Sequence, residues 1–424
     1  MNPSFLEISA SIIFFLAIIH TFFVSKFAKI AHRYPEGSMG ENFFHYLSEI
    51  EAVFGIWSLL LLAIMIFTSG YSESVNYIEN LNFTEPAFVF VIMAMAGTKP
   101  IIKISEKFII KASHLLPLPG KMAFFLTVMV LGPIVGSFIT EPAAMTVTAL
   151  ILLKYFFTKE MSDKFKYATI GLLFVNISIG GTLSHFAAPP VLMVAAKWGW
   201  GLEHMFTNFG YKGAISCIIS ALIITFFFKK ELTGKLIINS KENKTQIPLW
   251  VTLVHVLFLA VAVITAHHMA IFVALFLFFL GFTSVTKEYQ DSIKIKESLM
   301  VGFFLAGLIV LGTPQKWWLQ PLIANLSDYV LFLGATGLTA LTDNAALTYL
   351  GSLVELTDSA KYYLLAGAVS GGGLTVIANA PNPAGYGILK VSFKDESISP
   401  LGILKGAILP TIISLLCFGF LPSL

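Results

Sequence analysis

Two short stretches hold the side chains in this sequence best placed to do chemistry. Thr342-Asp343-Asn344-Ala345-Ala346-Leu347-Thr348 sets a carboxylate and an amide in the middle of an apolar segment. Thr140-Glu141-Pro142-Ala143-Ala144-Met145-Thr146 echoes it: four of the seven positions are identical, and two more exchange Asp for Glu and Leu for Met. Each copy is followed by a glycine-rich stretch broken by proline. The first runs from Gly180-Gly181 to Pro189-Pro190, the second from Gly371-Gly372-Gly373 to Pro381 and Pro383. Carboxylates, hydroxyls and carbonyls are the ligands that a hard cation takes when it sheds water. Helices broken at membrane depth free carbonyls at one end and N–H groups at the other, and glycine lets the backbone come close. The candidate ion-binding residues are therefore Thr140 and Glu141 with Ser184 and His185, and Thr342, Asp343 and Asn344 with Thr375, Asn379 and Asn382. Asp343, Asn344 and Glu141 are the expected direct ligands of a Na+ ion.

The sign of the charge selects the substrate. Neither motif contains Lys or Arg, so an anion is repelled there unless cations bind first. A cation is attracted, and a proton can replace it on the same carboxylate, because burial favours the neutral form. Competition between Na+ and H+ for one carboxyl gives exchange with no further machinery. Plainer roles compete with this one. Pro142 lets Glu141 serve as a helix-start residue satisfying free N–H groups. His185 reads equally well as a packed, hydrogen-bonded histidine, and Asn176 as a bond between helices. Glu7, His20, Glu49, Glu51, His255, His267 and His268 read as interfacial or packing residues.

The elements that position these motifs must span a membrane. The chain is 56% hydrophobic and 12% charged, against about 45–50% and about 25% in soluble domains. Apolar runs near the ~20 residues of a transmembrane helix recur along it, and the short alternating strands of a barrel are absent. The expectation is an all-α polytopic membrane protein, not a soluble enzyme. Cys217 and Cys417 lie in separate apolar runs and read as core residues. The N-terminus lacks a basic region and a cleavage site, so the first run is expected to stay as a helix. No nucleotide-binding motif appears, and no cofactor or nucleic-acid partner is expected. Lipid and monovalent cations are.

Crossings are expected at about 4–24, 51–68 and 86–98, with a polar loop at 71–85. Lys103, Lys107 and Lys111 recur every four residues and mark a helix lying in the interface. A split segment at about 123–157 follows, as two half-length pieces around Thr140-Glu141-Pro142. A broken helix at about 167–197 and a crossing at 213–228 complete the first half, 1–228. A charged linker, 229–248, leads to the second half, 249–424. That half has crossings at 249–266, 269–285 and 299–311, Trp317 and Trp318 in the aromatic belt, a split segment at about 329–356, a broken helix at about 362–390 and a crossing at 401–421.

Each split segment is either a bent crossing or a re-entrant hairpin, and the basic residues choose between them. With hairpins, the loops holding Lys26, Lys29 and Arg33, Lys99 to Lys121, Lys159 to Lys166, the linker lysines, Lys287 to Lys296 and Lys390 to Lys405 all fall on one side. Only Lys197, Lys212, Lys316 and Lys361 face the other. If either hairpin crossed fully, this bias would collapse, so the positive-inside rule favours hairpins and places both termini outside. Each half then has an odd number of crossings. The halves become inverted repeats whose hairpin tips can meet near the midplane.

At Thr342-Asp343-Asn344-Ala345 and Gly371 to Pro383, and more loosely at Thr140 to Ala144 and Gly180 to Pro190, the chain resembles the ion transporter superfamily. That group includes NhaD-type sodium/proton antiporters, arsenite permeases, citrate carriers and divalent anion/sodium symporters. The Asp-Asn pair resembles the NhaD and arsenite-permease side, and neither tip has the Ser-Asn-Thr of the symporters. The pattern is similar to a bacterial family of sodium/proton antiporters. The resemblance implies a bacterial inner (plasma) membrane protein, a homodimer, and hairpins and broken helices that move together as an elevator against a dimeric scaffold. The expected function is Na+/H+ antiport. A sodium-coupled organic-anion carrier, for citrate or a dicarboxylate, is the alternative.

Overall fold

The computed structural model describes residues 3–49, 52–158, 161–233, 246–323, 326–393 and 397–424, and every regular element among them is helical. Most of the expected linker, 234–245 with Lys235, Lys241 and Lys244, lies outside the described residues, as do Glu51, Lys159 and Lys394.

The first half opens with α1 (Phe5–Thr21), α2 (Val24–Ala31), α3 (Met39–Ser48), α4 (Val53–Ser69), α5 (Tyr71–Glu79), α6 (Thr84–Ala96) and α7 (Lys99–Ser113). Ser4 accepts from the Glu7 N–H at 3.2 Å while its own N–H donates to the Glu7 carboxylate at 2.7 Å, a reciprocal cap that starts α1. The stretch expected as a polar loop at 71–85 instead contains α5. α7, with the lysine stripe, bends 68° from α6.

Next come α8 (Gly120–Ile139), α9 (Glu141–Tyr155), α10 (Asp163–Gly180), α11 (Pro189–Trp198), α12 (Leu202–Met205) and α13 (Tyr211–Phe227). α8 is not the half-length piece expected: it has 20 residues and is long and apolar enough to cross a membrane. It starts just after Pro119, earlier than the apolar run suggested, and absorbs Pro133 in its interior. The chain then reverses. A Cβ on Gly136 would lie 3.0 Å from that of Ala144, and one on Gly132 would strike Thr148. Those pairs step away symmetrically from Thr140, so α9 runs back along α8. Lys166 and Lys212, expected in loops, are buried in the first turns of α10 and α13, where their ammonium groups donate to the Ser392 carbonyl at 2.9 Å and the Tyr362 hydroxyl at 2.8 Å.

The second half comprises α14 (Leu249–Ile264), α15 (Met269–Val285), α16 (Ile295–Gly312), α17 (Lys316–Ile323), α18 (Asp328–Thr339), α19 (Asn344–Ser352), α20 (Asp358–Gly371), α21 (Asn382–Leu389) and α22 (Pro400–Phe420). Five described helical segments are long and apolar enough to cross a membrane: 120–139, 163–183, 202–227, 295–323 and 400–420. The shorter apolar helices α1, α14 and α15 accompany them. The molecule is an all-helical, polytopic membrane protein.

Pairings recur between the halves. α8 lies along α10 and α18 along α20; α11 packs on α19, and α21 packs on α9. The last two contacts join an element of one half to a tip helix of the other. A separate group forms around α6 and α16, which hold α1, α4, α14 and α15. Lipid supplies no hydrophobic drive to press helices together, so close packing depends on small residues. Accordingly Gly171 of α10 meets the backbone of Gly406 in α22, and Gly307 of α16 meets the backbone at Gly55 in α4.

Candidate functional site

The first tip is built by a backbone kink. α8 ends as the Thr140 N–H donates to the Gly136 carbonyl at 2.8 Å. Thr140 itself has φ +109°, the one non-glycine residue with positive φ among those described. Such backbone costs about 1–3 kcal/mol and is kept where the surroundings force it. Glu141 is then the first residue of α9, with Pro142 behind it in a turn that needs no N–H donor. The Thr140 hydroxyl accepts from the Ala143 N–H at 3.5 Å, so Thr140 caps the helix and the Glu141 carboxyl is turned elsewhere. That carboxyl is fully buried. Its Oε2 accepts from Asn379 Nδ2 at 3.0 Å. Its Oε1 has no hydrogen-bond partner among the described residues, and a Cβ on Gly181 would sit 2.6 Å from it. The glycine of the first break thus makes room for the acid of the first tip.

The second tip divides its work differently. Asp343 is the N-cap of α19, its Oδ1 accepting from the N–H groups of Ala345 at 2.7 Å and Ala346 at 3.2 Å. It is half-buried, whereas Asn344 is fully buried. Asn344 Nδ2 donates to the Ser178 hydroxyl at 3.3 Å, and Ser178 donates to the Val369 carbonyl at 2.8 Å. Gly372 is wedged here: a Cβ on it would strike Ser178 and lie 3.0 Å from Asn344 Nδ2. Asn382 Nδ2 donates to the carbonyls of Gly372 at 2.8 Å and Thr375 at 2.9 Å, holding the break after α20 in shape.

The tips are therefore reciprocally clasped. Glu141 of the first half takes its hydrogen bond from Asn379 in the second break, and Asn344 of the second half gives its own to Ser178 of the first broken helix. Four buried side-chain oxygens around these contacts, Glu141 Oε1, Asn344 Oδ1, Asn379 Oδ1 and Asn382 Oδ1, have no hydrogen-bond partner among the described residues. Buried acceptors are seldom left so. All four are hard oxygen donors, the set that suits an alkali or alkaline-earth cation. Among the described residues no three His, Cys, Asp or Glu side chains converge as a metal cluster would require.

Other expected site residues are engaged differently. The hydroxyls of Ser184, Thr342 and Thr375 donate to the carbonyls of Ser137 at 2.6 Å, Leu338 at 3.0 Å and Ala340 at 2.9 Å. Half-buried His185 lines a small pocket with Thr84, Glu85 and His267 beside α6. Asn176 bonds helices together, donating to the Met129 carbonyl at 2.9 Å. Sequence reasoning missed Ser178 and Ser137. Ser137 donates to the Gly180 carbonyl at 2.6 Å and accepts from the Leu183 N–H at 3.0 Å, tying the first break to α8. Ser178 carried one signal: a small polar residue stands just before the glycines of both breaks, Ser178 in one and Ser370 in the other.

Residues 5–421 match the sequence profile of a family described as "Putative Na+/H+ antiporter". No curated protein matches the chain. With helices built for a bilayer and a match running over nearly its whole length, the chain belongs to this family of cation/proton antiporters.

Proposed function

We propose that the chain exchanges Na+ for H+ across the bacterial inner membrane, with Glu141 and Asp343 as the groups that trade one ion for the other. The observation that carries this reading is the Glu141 carboxyl, fully buried, with one oxygen on Asn379 and the other unpartnered. A buried carboxylate needs a cation or a proton to neutralise it, and both fit one oxygen in turn. Asn344, Asn379 and Asn382 add amide oxygens that can replace lost water around Na+, while Asp343 at the second tip adds a second negative charge within reach. A small inorganic cation suits this lining better than an organic anion, since Glu141 and Asp343 would repel a carboxylate.

The recurring pairings between the halves support a reading as inverted repeats, 1–228 and 249–424, with hairpins at the two tips, broken helices between them and both termini outside. In this reading α8 to α11 and α18 to α21 move as an elevator against a scaffold centred on α6 and α16, in a homodimer. Occupation of each carboxylate by Na+ or H+ neutralises the tips and permits the movement; the empty, doubly charged site does not move. That rule couples the two fluxes without a further part.

The test is reconstitution in vesicles loaded with a pH-sensitive dye. Addition of Na+ alone should discharge an imposed pH gradient, and Asp343→Asn should reduce that rate at least a hundredfold. Full exchange in the variant, or a requirement for an added organic acid in the native chain, would sink the assignment. Shared occupancy also fixes a pH rule: below the pKa of the exchanging carboxyl, the Na+ concentration for half-maximal rate should rise about tenfold per pH unit.

A further inference from the structure

One cavity in the described structure lies away from the buried amides. It is a space of about 330 Å3 between the second tip and the group around α16, a volume in the range of small-molecule sites. Phe14, Phe54, Trp318 and Leu338 are among the side chains that wall it, and Asp343 is the one charged residue of its lining, with Asn379 nearby in the wall. A hydrated alkali ion gains nothing from aromatic and aliphatic walls. A neutral apolar molecule gains nothing from a carboxylate. The combination suits a molecule with an apolar body and a single cationic head.

We infer that this cavity binds hydrophobic organic ammonium ions, with the ammonium at Asp343 and the body between α18 and the wall formed by α1, α4, α16 and α17. The inference rests on the reading of Asp343 as a cation site and adds a second class of ligand to it. The ammonium takes the place of the small cation at the carboxylate, so the two compete. The body lies between elements that belong to different packing groups and adds affinity, while competition at Asp343 is what slows exchange.

Gly334 supplies a probe of the wall that leaves the acidic residues alone. It lines the cavity, and a Cβ built on it meets no atom within 4 Å. A larger side chain there would project into the space without disturbing its neighbours. Leu338, one turn further along α18, lines the same wall.

The experiment measures binding directly, by calorimetry on the purified full chain, with 1-naphthylmethylammonium and its neutral counterpart 1-naphthylmethanol. The ammonium should bind at least tenfold more tightly than the alcohol, and Na+ should displace it. Asp343→Asn keeps a good helix cap and should erase the tenfold preference. Gly334→Leu, and independently Leu338→Trp, should weaken ammonium binding at least tenfold while Na+-dependent exchange continues. Equal affinity for the two probes, or undiminished binding in both cavity-filling variants, overturns the inference. Selective binding by a chain that never exchanges Na+ for H+ would overturn the proposed function and leave this inference standing. Exchange without selective binding would do the reverse.

Discussion

Glu141 and Asp343 occupy matching places in the two motifs, yet their surroundings differ. Asp343 caps its helix with one oxygen and faces a cavity; Glu141 leaves capping to Thr140 and is fully buried against Asn379. The same motif therefore yields one acid reachable from an open space and one sealed in. Among the described residues, Asn379 alone donates to the sealed carboxyl. Losing that donor leaves a buried oxygen unpaired, at about 1–3 kcal/mol. Asn379→Ala should raise the half-saturating Na+ concentration about tenfold, measured in reconstituted vesicles, and lower thermal stability. Glu141→Gln keeps an oxygen for Asn379 and removes the exchangeable proton, so it should fold normally and transport almost nothing. Transport by Glu141→Gln at the native rate would show that the sealed acid only holds the fold.

Among the elements, the bend at Thr140 sets the direction of α9 and hence the aim of Glu141. Its φ of +109° belongs to glycine. Thr140→Gly should relieve the backbone cost and stabilise the protein by about 1 kcal/mol, readable as a higher unfolding temperature, while loosening the tip and slowing exchange. A lower unfolding temperature would mean that the weak hydroxyl cap outweighs the relieved strain. Helix positions were legible in the sequence because apolar runs and glycine–proline breaks mark them: α4, α10 and α20 lie close to where those signals put them. The turn at Thr140 was legible as a break but not as a left-handed threonine, because nothing in the residue type announces it. α5 was missed because Tyr71–Glu79 is polar, and polarity alone does not separate a surface helix from a loop. The pairs Glu141–Asn379 and Ser178–Asn344 could not be read either, since no local pattern reports which distant amide meets which acid.

At the scale of the whole molecule, neither half contains the whole of the candidate site. Each tip reaches into the broken segment of the other half, and α11 and α21 pack on tip helices of the opposite half. Residues 1–233 or 246–424 expressed alone should fail to bind Na+, and the two expressed together should recover sodium-dependent proton movement. Na+ binding by either piece in isolation would contradict this dependence.

The clasp between Glu141 and Asn379 spans 238 residues of chain. At the ribosome's pace of about 5–20 residues per second, the amide follows the acid by roughly 12–48 seconds. In the proposed arrangement the newborn first half then carries a carboxyl to membrane depth with its native donor still untranslated, and a bare charge there is expensive. The nascent tip must stay protonated, stay in the interface, or be shielded by the insertion machinery until its counterpart arrives.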